Sequence, residues 1–185
     1  LARYSAAVAS NGTRGLFAGG HSPGSPQNDV IDYITIQSTG VAAQDFGNLT
    51  NARRYIMASF SSSTRGILAG GGEPTYVNNV DFVTMSTLGN AADFGDCFDA
   101  GQGAHGSSIS SNSVRGIRMG GAVPGATNAI EYFTIATLGN GQEFGDLTAT
   151  AGAHAAAAAS STRCVRFGQG HPAYNVNIEY VQIMS

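Results

Sequence analysis

One pattern of polar and apolar positions returns four times along the chain. Its clearest stretch runs acid, aromatic, aliphatic, polar, aliphatic in Asp32-Tyr33-Ile34-Thr35-Ile36. It recurs as Asp81-Phe82-Val83-Thr84-Met85, Glu131-Tyr132-Phe133-Thr134-Ile135 and Glu179-Tyr180-Val181-Gln182-Ile183. A period of two is that of a β-strand, whose successive side chains point to opposite faces. The acid and the aliphatics then share one face, and the aromatic and the Thr the other. Such a strand is expected to be covered on both sides.

Three further pieces surround it. Before it comes an apolar strand that opens on Arg and ends in Gly-Gly: Arg14 to Gly20, Arg65 to Gly71, Arg115 to Gly121, and a worn copy from Arg163 to Gly170. Paired glycines at one phase point to a positive φ or a close backbone approach. Earlier still lies a small-residue segment, Tyr4 to Ser10, Tyr55 to Ser61, His105 to Ser111 and His154 to Ser160. Propensity alone would make a helix of Ala155 to Ala159. Its counterpart in the first copy runs into Asn11-Gly12, a hairpin turn, so all four are expected to be strands. A connector follows the alternating strand at 39–48, 88–96 and 138–146, carrying an acid-Phe-Gly triplet with Phe46, Phe94 and Phe144 as packing pegs.

Arg14, Arg65, Arg115 and Arg163 stand 51, 50 and 48 residues apart. A fixed period in this range marks a solenoid, a propeller or an array. Units of about 50 residues that cannot bury both faces alone would stack on their neighbours, which is the logic of a propeller blade. The expected fold is all-β, a single repeat domain over 1–185 with four blades at about 1–48, 49–96, 97–146 and 147–185. The last lacks its connector and fourth strand. A β-solenoid is the rival, with a β-trefoil third.

Composition narrows the function. Gly supplies 26 residues, which suits short strands and tight turns. All nine basic residues are Arg, and with 12 acids the net charge is -3. The basic stripe that a phosphate backbone requires is missing, so nucleic acid is not expected as a partner. No run of 18 apolar residues and no signal-peptide pattern occurs, so no membrane insertion is expected. The chain opens at Leu1 in mid-repeat, which reads as processing or as part of something longer. Cys97 and Cys164 occupy different repeat positions with no ligand spacing around them, and read as buried free thiols.

The acids Asp32, Asp81, Glu131 and Glu179 sit on strands covered on both sides, and a buried carboxylate needs a charged or hydrogen-bonding partner. Arg14, Arg65, Arg115 and Arg163 are expected to reach these acids or nearby carbonyls, within a unit or across to the next. That role is structural, because catalysis needs carboxylates in unlike environments and these are copies of one another. Asp93-Phe94-Gly95 spells a kinase metal-binding triplet, but no Gly-rich loop, catalytic loop or Lys accompanies it. The four histidines fall into two classes, His21 with His171 and His105 with His154, so neither class supplies more than two ligands for copper. No catalytic residue, metal or cofactor is expected. Variation concentrates in the loops after Gly-Gly, where His21, Glu73, Tyr76, His171 and Tyr174 are the candidate binding residues.

An Arg before a small-residue strand (Arg3-Tyr4, Arg54-Tyr55), a strand ending in Gly-Gly, and aromatics in the third and fourth strands resemble the kelch repeat. The resemblance covers essentially the whole chain. It departs where the kelch Trp is replaced by Phe46, Phe94 and Phe144, and where copies three and four read Gly-Ala-His before the first strand. The wording Asp/Glu-Tyr-Ile-Thr-Ile with Thr-x-Gly-Asn-Ala-x-Asp-Phe-Gly-Asp-Leu also resembles degenerate kelch-like arrays of marine cyanobacterial phages. The resemblance implies a non-enzymatic structural or adhesive module of a virion or tail appendage, outside the cell. Its partners would be other virion proteins, a host-surface glycan or further copies of the chain. The alternatives are a propeller-scaffold enzyme acting on glycans and a cytoplasmic kelch-type adaptor.

Overall fold

The computed structural model describes residues 2–25, 27–56, 58–72, 76–98, 108–121, 125–152, 155–169 and 173–183. Among them every regular element is a strand. Blade 1 holds β1 (Ala7–Ser10), β2 (Arg14–Ala18), β3 (Val30–Thr35) and β4 (Gln44–Asn48). Blade 2 holds β5 (Ala58–Ser61), β6 (Arg65–Gly71), β7 (Val77–Thr84) and β8 (Ala92–Asp96). Blade 3 holds β9 (Ser108–Ser111), β10 (Arg115–Gly121), β11 (Thr127–Thr134) and β12 (Gln142–Ala151). Blade 4 holds β13 (Ala156–Ala159), β14 (Arg163–Gln169) and β15 (Asn175–Gln182).

Each blade is an antiparallel meander whose strands lie in chain order, and the first strands β1, β5, β9 and β13 stand side by side. This is a four-bladed β-propeller arrangement, and the antiparallel meanders set aside the solenoid. The alanine-rich stretch is strand β13, paired with β14 from Ala156↔Phe167 to Ala159↔Cys164. A Cβ on Gly116 of β10 would stand 2.2 Å from the Phe60 ring on β5 of the previous blade. Blade 4 has the larger Cys164 at that position, facing the smaller Ser110 of β9.

Among the described residues each buried apolar cluster spans two blades. One cluster joins Leu16, Ala18, Ile31 and Phe46 of blade 1 to Leu68, Val83 and Met85 of blade 2. A second joins Ile67, Val80 and Phe94 of blade 2 to Phe133 and Ile135 of blade 3, and a third joins Ile117, Ile130 and Leu147 to Cys164 and Ile183. Each fully buried side chain of this size contributes about 1.5–3 kcal/mol. The blades are therefore stabilised between units.

The connector Phe reaches these clusters through a β-bulge. In blade 1 Ile31 pairs with Gly47 and Asp32 with Asp45, so Phe46 is the extra residue, and Phe94 and Phe144 repeat the arrangement. Each ring meets the third-strand aromatic edge to face, Tyr33–Phe46 at 6.0 Å, Phe82–Phe94 at 6.2 Å and Tyr132–Phe144 at 5.7 Å.

Candidate functional site

The four repeated acids sit in buried knots with arginine. Arg3 Nη2 lies 2.9 Å from Asp32 Oδ2, Arg53 Nη1 3.2 Å from Asp81 Oδ2, Arg118 Nε 2.6 Å from Glu131 Oε2 and Arg166 Nη1 3.5 Å from Glu179 Oε2. In blades 3 and 4 the residue paired across the strands from the acid is itself Arg, Arg118↔Glu131 and Arg166↔Glu179. In blades 1 and 2 that place holds Phe17 and Leu68, and the guanidinium arrives from the segment before the first strand. Arg3 and Arg53 also donate to the carbonyls of Phe17 and Leu68. One spatial position is thus filled from two places in the sequence. Burial lowers the pKa of Arg53 and Arg166, and the facing carboxylates Asp81 and Glu179 work in the opposite direction.

Three of these carboxylates also bind the linker leaving the previous blade. Thr50 donates to Asp81 from its N–H at 3.0 Å and its hydroxyl at 2.6 Å. Thr148 does so to Glu179, and the Phe98 N–H donates to Glu131. Asp81, Glu131 and Glu179 each tie their own blade to the one before it.

Arg14, Arg65, Arg115 and Arg163 do not meet the acids, which corrects that half of the expectation; Arg14 and Arg65 meet its other half, reaching carbonyls across to the next blade. Arg14 pairs with Thr35, three residues past Asp32, about 10 Å along the strand and on the opposite face. These guanidiniums instead lie over Tyr33, Phe82, Tyr132 and Tyr180 at 4.5–5.0 Å from the ring centres. Arg14 and Arg65 donate onward to carbonyls of the next blade, Met85 and Ile135.

Sequence reasoning missed a second set of joints. The Gly-Asn turns of the second and third connectors dock on the acid-Phe-Gly strand of the blade before. Gly89 and Ala91 donate to the carbonyls of Phe46 and Asn48 at 2.8 Å, and the Asn48 N–H donates to Asn90 Oδ1. Gly139, Gly141 and Asn140 repeat this on Phe94 and Asp96. Recurrence of Gly-Asn at one phase in 88–96 and 138–146 was the available signal.

Among the described candidate binding residues, His21, Tyr76 and Tyr174 belong to three different blades. His21 is held in the fold: its ring lies 4.8 Å from Tyr4, and its Nδ1 accepts from Arg54 at 2.8 Å. Tyr76 is half-buried beside β7, and Tyr174 is 92% exposed. Glu73 and His171 lie outside the described residues, as do His105 and His154. At the opposite end of the blades, between the first turns of blades 3 and 4, a groove of about 620 Å³ is lined by Ser111, Asn112, Ser160, Ser161 and Thr162. Its lining offers hydroxyls and amides without charge.

Cys97 and Cys164 are free and buried. Burial, with Glu131 nearby, pushes the Cys97 thiol up to about 12, and burial pushes Cys164 up to about 11. Thiolate is the reactive form. Iodoacetamide at pH 8 is expected to label neither cysteine in the folded chain and both in denaturant; labelling of the native chain within minutes would contradict their burial.

These features define a repeat-built β-propeller whose shared charged residues join blade to blade. Comparison with protein-family models and with curated protein sequences gives no match.

Proposed function

We propose that this chain is a protein-interaction propeller without catalytic activity, of the structural or adhesive kind found in virion and tail appendages. Its loops after Gly-Gly would contact a protein or a host-surface glycan. One observation carries the reading: the repeated acids take up arginine and linker donors to hold blades together, while sequence variation lies in the loops. The kelch-like order of Arg, small-residue strand and Gly-Gly supports it, as does the phage-like wording of the connectors. Tyr174, with an exposed ring on such a loop, is suited to stacking on a sugar face.

The test is binding of the chain to an array of bacterial surface glycans. At least one glycan is expected to bind, and Tyr76→Ala combined with Tyr174→Ala to weaken it at least tenfold at an unchanged melting temperature. Undiminished binding by the double variant would dispose of the loop surface. Release of sugars from a bound glycan would dispose of the non-enzymatic reading.

A further inference from the structure

The kind of ligand the loops can take is set by where the positive charge of the chain goes. The sequence has no Lys, and its nine arginines all lie among the described residues. Arg3, Arg53, Arg118 and Arg166 are shut in the knots with their acids, their side chains only 1–4% exposed. Arg14, Arg65, Arg115 and Arg163 open the second strands, where each lies over an aromatic ring. β6 and β14 run seven residues from that end, so Arg65 and Arg163 stand about 20 Å along the strand from the loops after Gly-Gly. Among the arginines Arg54 alone reaches the loop end outside a knot, and there it bonds His21 and lies 5.1 Å over the Tyr55 ring.

The rest of the surface leans the other way. Asp45, Asp93, Glu143 and Asp146 are exposed on the fourth strands, and the chain carries a net charge of -3. Such a surface repels an approaching anion. A carboxylate or sulfate that leaves water also needs a charge-assisted donor in place of its hydration. Apart from His21, which is bound to Arg54, the described loop residues offer uncharged groups: hydroxyls and amides on Ser25, Gln27, Thr127 and Asn175, beside the rings of Tyr76 and the exposed Tyr174.

Resting on the loop reading above, we propose that the ligand is an uncharged glycan. A neutral hexose stacks its apolar face on Tyr174 and bonds its hydroxyls to the loop amides and hydroxyls. Glycans whose contact residue is a uronic, sialic or sulfated sugar are rejected, because the arginines that would hold the anion are committed between the blades. Preference for neutral sugars is thus a consequence of how the blades are joined.

The test compares matched pairs of oligosaccharides that differ only in charge, ending in galactose or galacturonate and in glucose or glucuronate. In each pair that binds, the neutral member is expected to bind at least tenfold more tightly. Its affinity should change less than twofold between about 50 and 500 mM NaCl, because no ion pair is there to screen. Ala173→Arg, an exposed change beside Tyr174, should raise uronate binding at least tenfold and make it fall with salt. Uronate bound as tightly as its neutral partner overturns the proposal, and so does binding of no pair. A tenfold loss with salt in the unmodified chain, or an Ala173→Arg chain that still rejects the uronate, overturns it too. If the preferred ligand is acidic and Tyr76→Ala with Tyr174→Ala weakens its binding, the loop reading stands and this inference alone falls.

Discussion

Asp81→Ala is expected to lower stability by about 3–5 kcal/mol, the usual cost of removing one partner from a buried ion pair. Asp81 is fully buried and Arg53 is 1% exposed, so the change strands a guanidinium with its counter-charge gone. It also removes the acceptor of the Thr50 N–H and hydroxyl, which join blade 1 to blade 2. For a chain of this length about 2–4 °C is lost per kcal/mol, so the midpoint should fall by roughly 10 °C. The control is Asp32→Ala, whose side chain is 18% exposed and where a loss of only about 1–2 kcal/mol is expected. Replacing Arg53 by Met together with Asp81 by Leu should recover part of the loss, because an apolar pair carries no stranded charge. Thermal melts followed by far-ultraviolet circular dichroism decide it. Equal losses at Asp81 and Asp32 would show that the knot is not a joint between blades.

Gly47→Ala and Gly95→Ala should each cost about 3 kcal/mol or more, whereas Gly145→Ala should cost about 1–2 kcal/mol. All three have φ between 137° and 149°, so each alanine carries similar backbone strain. They differ in what a methyl group would meet. At Gly47 it falls 2.3 Å from the carbonyl oxygen of Gly89, and at Gly95 2.6 Å from that of Gly139, backbone that is itself bonded to the preceding blade. At Gly145 the space is open. Denaturant midpoints of the three variants measure the difference, and three equal shifts would mean that strain alone accounts for these glycines.

Much of the architecture follows from periodicity. Two-residue alternation with acids at one phase specifies the third strands, and the Gly-Gly pairs mark where the chain crosses its neighbour. Gly19 has φ +65° and lies so close to the carbonyl oxygen of Arg53 that a Cβ would stand 2.5 Å from it. The partner of each acid was harder to read, because it depends on cross-strand register rather than on repeat phase. Counting back from the turn places Phe17, Leu68, Arg118 and Arg166 opposite the acids, and only two of these are arginine.

The other two knots were hidden by a one-residue shift. The shared Arg-Tyr dipeptide aligns Arg3 with Arg54, but the fold aligns Arg3 with Arg53. Ser5 and Tyr55 take the same positive φ, 57° and 53°, and Tyr4 and Arg54 form matching bridges to His21 and Gly72. The Gly-Asn turns read locally as turns, and their role on the neighbouring blade is a tertiary contact that local pattern does not carry. His21 sits in a variable loop, and its bond to Arg54 of the next blade's entry segment is a tertiary contact that local pattern does not carry.

The central claim is that shared residues join blade to blade, and amide hydrogen exchange followed residue by residue tests it most directly. The N–H groups of Gly89, Ala91, Gly139 and Gly141 donate only across blade boundaries, to Phe46, Asn48, Phe94 and Asp96. They should be protected as strongly as the interior of β6 and β10, opening only when the whole array opens. Exchange of these four amides at the rate of exposed turns, with the strand interiors still protected, would contradict the account.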